Sequence, residues 1–448
     1  MIDFIAEQYF ECAASTAISR KAAGNAPHFS LRDIVELDGI LQSCFDGLRL
    51  AGKTASQLVA AGLEQPEWTD VFVAGVLALY AGDKEQILQV SSAVRASSEL
   101  RGGAISALGW VPWDTARQYV RRCVVLNDAF WQQAGLIAHE MTGYDPGECL
   151  AEWCTSGPPQ IRARALQTVG VLARSSLYDA VLQQLHASSV SARACACWTA
   201  ALRLQDDVAI RYLVELARND SERAADTAPL LISLLSVKES VTLTRTVAQG
   251  TNQQVRQALI LTGLLGIPDG IPWLIEMMAQ PQYARVAGEA FYRITGLRLD
   301  QRPYEGDWPN GFEAGPNDDP DDDNVEMDED ENLPWPIQHE VAAWWEQNRT
   351  RFKANTRYLL GFELDNEAWL KKVLVLGRQR ERATAALELA IRNPTEPLFN
   401  VEEHGRRQMK KLGVKRLPSE EYRCNHIEAG PDDTTWMKYL RDSSPFKT

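Results

Sequence analysis

A chain of 448 residues with 45% apolar and 24% charged residues has the composition of a globular protein with a sizeable core. Its net charge of −14 is concentrated in one stretch, 300–331, which holds fourteen acids and the single base Arg302. The remainder is close to neutral and has no basic stripe for neutralising phosphates, so nucleic acid is not an expected partner. Nor is a membrane, because the longest apolar run, 71–81, is shorter than the roughly 20 residues that a span needs. The opening Met1-Ile2-Asp3-Phe4-Ile5 has an early acid and no basic leader, which points to a cytoplasmic protein. Cys12, Cys44, Cys123, Cys195 and Cys197 sit in helix-like apolar patterns, where a free thiol behaves as a small hydrophobe. There are no paired Cys-x-x-Cys knuckles to signal zinc or a disulfide framework.

In chain order, residues 1–66 lack any repeat. Leu31, Ile34, Leu37, Ile40, Leu41, Phe45, Leu48 and Leu50 trace one amphipathic helix there, expected to cap the repeats that begin near residue 67. From 67 to 297 a pattern recurs: a polar or Arg residue, then Ala, then an apolar run ending near Gly, as in VRQALILTGLLG and ARVAGEAFYRITG. The central alanines are Ala74, Ala104, Ala134, Ala165, Ala196, Ala225, Ala258 and Ala287, at intervals of 29 to 33 residues. About 30 residues hold two helices of ~10–12 residues and two short turns. The spacing therefore predicts an all-α solenoid of about eight helix-pair repeats. The partner helices are expected near 84–94, 115–125, 177–186, 208–217 and 271–279, with Asp83, Asp114, Ser176 and Asp207 as N-caps. Pro112, Pro146 and Pro268 fall between helices or in first turns, where proline is tolerated. A small residue at a fixed place suggests close helix approach, and Gly75, Gly103, Gly135 and Gly288 beside the ladder strengthen that reading.

A second ladder, Arg101, Arg162, Arg193, Arg223, Arg256 and Arg285, precedes the alanines by two or three residues. Each arginine could bridge to an acid or carbonyl of the adjacent repeat. Alternatively, the row could dock an acidic partner. Residues 298–336 are rich in Pro, Gly and acids and predict a flexible loop. The loop lacks the alternating acid and glycine of a calcium-binding EF-hand, and folding back onto the arginines is one arrangement its charge allows. Residues 337–412 predict a small helical domain, with helices near 337–352, 367–377 and 379–392 anchored by Trp335, Trp344, Trp345 and Trp369. The tail, 413–448, has weak periodicity and is expected to be peripheral.

Motifs for chemistry are sparse. His139-Glu140-Met141-Thr142-Gly143 begins like a zinc-protease helix but lacks a second His one turn later. Cys195 and Cys197 point in different directions on a helix and cannot share a metal. Cys424-Asn425-His426 puts a thiol near an imidazole in the tail, a weak setting for a nucleophile pair. Nucleophile-elbow and phosphate-loop motifs are absent. No catalytic residue, metal or cofactor is expected.

The Arg-x-x-Ala rhythm resembles short HEAT repeats, a class also seen in phycobilin lyases. Three longer stretches make a narrower resemblance. They are Phe45-Asp46-Gly47-Leu48-Arg49-Leu50-Ala51-Gly52, Leu333-Pro334-Trp335-Pro336 followed by Trp344-Trp345, and Gly377-Arg378-Gln379-Arg380-Glu381-Arg382-Ala383. With the repeats, they resemble an uncharacterised bacterial family of HEAT-like proteins often encoded near type VI secretion genes. The resemblance covers 1 to about 412 and implies a non-catalytic scaffold, an adaptor or chaperone for a secreted effector. Two alternatives stay open: an immunity protein that sequesters a toxin, and a lyase-like repeat enzyme with a cofactor in its concave face.

Overall fold

The structure is a computed structural model that describes residues 2–219, 221–315 and 328–441, with backbone only at 2, 219, 221–226 and 439. The protein is all-α. Among the described residues are twenty-four α-helices and one two-stranded antiparallel hairpin, Tyr358–Leu359 with Phe362–Glu363. No helix among them is long and apolar enough to cross a membrane. The chain divides into two compact units, one formed by 1–215, 389–418 and 437–448, the other by 216–388 and 419–436.

In the first unit the ladder helices are Trp68–Ala81, Arg101–Trp110, Ala129–Thr142, Pro159–Val171 and Val190–Leu204. Each packs on the next ladder helix, and the partner helices Lys84–Ala96, Trp113–Val125, Cys149–Ser156 and Tyr178–Gln183 alternate with them. The second unit continues the alternation with ladder helices Ser221–Leu234, Asn252–Leu265 and Pro281–Thr295 and partners Val237–Val247 and Ile271–Met277. All eight ladder alanines fall in helices. The seven whose side chains are described are at most 3% exposed, and Ala225 lies outside the described side chains. Small size is needed there because backbones approach. A Cβ added at Gly263 would lie 2.8 Å from Ala290 Cα, and one at Gly103 would collide with the Trp68 carbonyl oxygen.

The N-terminal region holds three helices rather than one. The expected helix is Leu31–Ala51, but Ile2–Ala23 precedes it and Lys53–Gly62 follows. Ile2–Ala23 buries Ala6, Ala13, Ala17 and Ala23, so a search for large apolar residues passes over it. Gly52, at φ 54°, separates the other two helices in a conformation that glycine adopts without strain. The Phe45, Phe72 and Trp110 rings join the cap helix to the ladder, with centroids 5.8–5.9 Å apart.

Of the expected N-caps, Asp83 accepts from the Glu85 and Gln86 amides at 2.9 and 3.3 Å. Asp114 instead lies inside its helix, because Pro112 takes the cap position and Trp113 is already helical. Ser176 sits in a 3-10 turn, Ser175–Leu177. At the next helix Asp206 rather than Asp207 accepts from Val208 and Ala209, at 2.9 and 2.8 Å.

Arginines, one of them buried and two half-buried, close the far ends of ladder helices. Arg407 donates to the carbonyls of Gly109, Trp110 and Val111 at 2.5–2.7 Å, and buried Arg203 donates to Gly170, Val171, Ala390 and Glu396. In the second unit Arg357 donates to Leu264 and Leu265 and pairs with Glu388 at 2.8 Å. The carbonyls of Gly109, Trp110, Gly170, Val171, Leu264 and Leu265 lie in the last turns of their helices, where no intrahelical donor remains, and a cation there also opposes the helix dipole.

The helices expected within 337–412 appear as Gln338–Asn348, Glu367–Leu376 and Gln379–Arg392, but this range is shared between the two units. The tail is not peripheral throughout. Arg423, Cys424 and Ile427 of helix Glu420–Glu428 are buried, and that helix packs on Glu367–Leu376. Its buried face includes a charged residue neutralised by pairing with Glu420, which apolar periodicity does not register.

Candidate functional site

The arginine ladder is dispersed among different environments. Arg101, the first residue of its helix, is exposed, with its guanidinium 5.1 Å from the Phe130 ring centroid on the next ladder helix. Half-buried Arg162 turns back to the Gly157 carbonyl at 3.0 Å. Arg193, also half-buried, lies 4.0 Å over the Tyr212 ring of the following helix, Asp207–Asn219. Arg223 lies outside the described side chains. Three rungs thus make local or neighbour-helix contacts, largely with rings and carbonyls.

Arg256 and Arg285 differ, because both hold the end of the acidic segment. Arg285 is 4% exposed and grips Asp328 with two nitrogens, at 2.6 and 3.1 Å. Arg256 reaches Asp330 at 2.5 Å and Glu329 at 2.7 Å. The fork shape of guanidinium favours this two-point grip on a carboxylate. The Trp308 and Trp335 ring centroids lie 4.8 and 5.3 Å from the Arg285 guanidinium, and that of Phe312 lies at 5.9 Å. The two limbs of the acidic segment meet to build this box. Gly306 donates to Trp335 O at 2.8 Å, and Ile337 donates to Tyr304 O at 2.7 Å. Burial pushes the Asp330 carboxyl up in pKa, against the pull of Arg256. Arg285 Nε has no hydrogen-bond partner among the described residues.

The flanks of the segment expected as a flexible loop are therefore anchored in place, while residues 316–327, with Asp318 to Asp323, lie outside the described residues. Sequence reading placed Arg256 and Arg285 but did not pick out their ligands Asp328 and Asp330 or the rings of Trp308 and Phe312. The available signal was charge complementarity between the two stretches.

The weak chemical motifs do not assemble. His139 Nδ1 lies 2.8 Å from the Tyr144 carbonyl, and burial pushes its pKa down. Glu140 is taken by Arg164 at 3.2 Å and Thr168 at 2.5 Å, which ties two ladder helices together. Burial pushes the Cys424 thiol up in pKa, and its nearest acceptor is Glu420 at 3.6 Å. His426 turns away to Asp433 at 2.5 Å, and Asp433 also pairs with buried Lys372 at 3.0 Å. Among the described residues, no group of three or more His, Cys, Asp or Glu is placed to hold a metal.

Comparison with protein-family models, curated proteins and solved structures yields no match.

Proposed function

We propose that this protein is a non-catalytic scaffold that binds another protein, with the arginines at the starts of the ladder helices contributing to the binding surface. One observation carries the reading: Arg256 and Arg285 hold three successive acidic residues, Asp328, Glu329 and Asp330, outside any helix or strand. The ladder position is thus able to grip acidic chain, and aromatic rings complete the grip. Arg101 occupies the same rung in the first unit, is exposed, and makes no ion pair among the described residues. It is a rung open to an acidic partner.

The setting we propose comes from the resemblance to bacterial HEAT-like proteins near type VI secretion genes. In that setting the helix pairs are solenoid repeats, and the protein is a cytoplasmic adaptor or chaperone for a secreted effector. Stacked repeats offer an extended surface suited to a folded partner. Affinity capture from the native host, with wild type beside Arg101→Glu, tests the reading. Wild type should recover an effector or secretion component, and Arg101→Glu should recover less of it. Recovery of a toxin that the protein neutralises would move the reading to an immunity protein. Recovery of no specific protein across growth conditions would sink the scaffold reading.

A further inference from the structure

The first unit brings two thiols together across two helices. Cys12 on Ile2–Ala23 and Cys44 on Leu31–Ala51 are both free, and the two helices pack along each other. Two other contacts fix the register of that pair. A Cβ added at Gly47 would lie 2.5 Å from the Tyr9 ring, which puts residue 9 opposite 47. Arg20 Nε donates to Asp38 Oδ1 at 2.6 Å, so the helices run antiparallel. Residues three apart share a helix face. Three forward from Tyr9 and three back from Gly47 therefore set Cys12 opposite Cys44. In keeping with that register, the two thiols hydrogen-bond to each other.

That placement suits a covalent link. Packed helices lie about 8–10 Å apart, with Cα atoms about 2.3 Å from each axis. Facing Cα atoms then come within the roughly 4.4–6.8 Å that a disulfide spans. Cys12 is half-buried, and Cys44 is 3% exposed. Both line an open groove with Tyr9, Gly39, Ile40 and Ser43. A Cβ at Gly39 would meet nothing within 4 Å, so the groove has room for a small oxidant.

The environments of the two thiols set an order of reaction. Burial, and then the hydrogen bond to Cys12, pushes the Cys44 thiol up to about 12. Thiolate is the reactive form, so the more exposed Cys12 reacts first and Cys44 follows. Cys12 Sγ lies 3.8 Å from Thr16 Oγ1, a hydroxyl that can donate to a thiolate. The Cys12 sulfur attacks one oxygen of hydrogen peroxide and breaks the O–O bond, which leaves a sulfenic acid. The departing hydroxide takes up the Cys12 proton and becomes water. The Cys44 sulfur then attacks the Cys12 sulfur and displaces its hydroxyl, which leaves with the Cys44 proton as a second water. The two thiols lose two electrons, and one peroxide gains them.

We propose that Cys12 and Cys44 are a peroxide-sensitive thiol pair that closes into a disulfide and staples the helices Ile2–Ala23 and Leu31–Ala51 together. The full-length protein, folded and reduced, is treated with hydrogen peroxide, and its remaining thiols are alkylated before digestion with trypsin. Mass spectrometry should find peptides 1–20 and 33–49 joined, two hydrogens lighter than their sum and released by dithiothreitol. The disulfide restricts the unfolded chain, so the melting temperature should rise by roughly 5–10 °C and fall back on reduction. Cys12→Ser should abolish both the joined peptides and the rise. Cys44→Ser should leave Cys12 as a sulfenic acid that dimedone captures. If Cys44→Ser fails to fold, wild type and Cys12→Ser decide. No joined peptides from the folded protein, a melting temperature that peroxide does not raise, or a rise that persists in Cys12→Ser would each overturn the proposal.

Discussion

Gly102 and Gly103 are adjacent in one helix and have opposite surroundings. A Cβ at Gly102 meets nothing within 4 Å, whereas one at Gly103 runs into the Trp68 backbone carbonyl, which cannot move aside as a flexible side chain would. Gly102→Ala should therefore raise stability by about 0.4–1 kcal/mol, from lost freedom in the unfolded chain. Gly103→Ala should lower it by about 1–3 kcal/mol through overpacking. Chemical denaturation of both variants checks the pair, and equal effects would refute close approach at Gly103. The same contrast separates the arginines. Exposed Arg101 and buried Arg285 share a ladder position, but the first meets one ring, and only the second has a carboxylate and three rings around it. The repeat pattern shows that an arginine recurs, and only its neighbours in space show what it grips.

At the level of the helix, the ladder elements are stabilised at their middles and at their C-terminal ends. Their middles bury alanines against the neighbouring helix. Several of their C-terminal carbonyls are met by arginines from elsewhere in the same unit, Arg407, Arg203 and Arg357. None of these three belongs to the arginine ladder that the repeat pattern displays. Their targets are distant in sequence, up to 298 residues for Arg407 and Gly109, so no local pattern marks them. Arg407→Ala strips three carbonyls of a charged donor and should destabilise by on the order of 2–3 kcal/mol. Arg406→Ala, at an exposed neighbour, should stay within about 0.5 kcal/mol of wild type. Thermal melts of the two variants test this, and comparable melting would remove Arg407 from its capping role.

On the scale of the whole chain, each unit is assembled from separate stretches of sequence. The first unit needs 389–418, which brings Arg407, Glu403 and His404 against the N-terminal repeats. A chain ending at residue 388 should therefore lose the cooperative melting of the first unit or show it at a lower temperature. An unchanged transition would mean that 1–215 folds without its C-terminal strap.

The sequence by itself determined the helical class, the period of the ladder and the burial of its alanines. Those features come from local propensity and from a contact repeated at fixed spacing, and both are written along the chain. The helix near 31–51 and those within 337–392 were legible for the same reason, since large apolar residues recur at helical intervals. Tertiary structure alone decided which acids meet Arg256 and Arg285, which arginines close the ladder helices, and that Cys12 meets Cys44. Those contacts join residues dozens to hundreds of positions apart. Their free energy comes from burial and pairing in space, which spacing along one sequence does not encode.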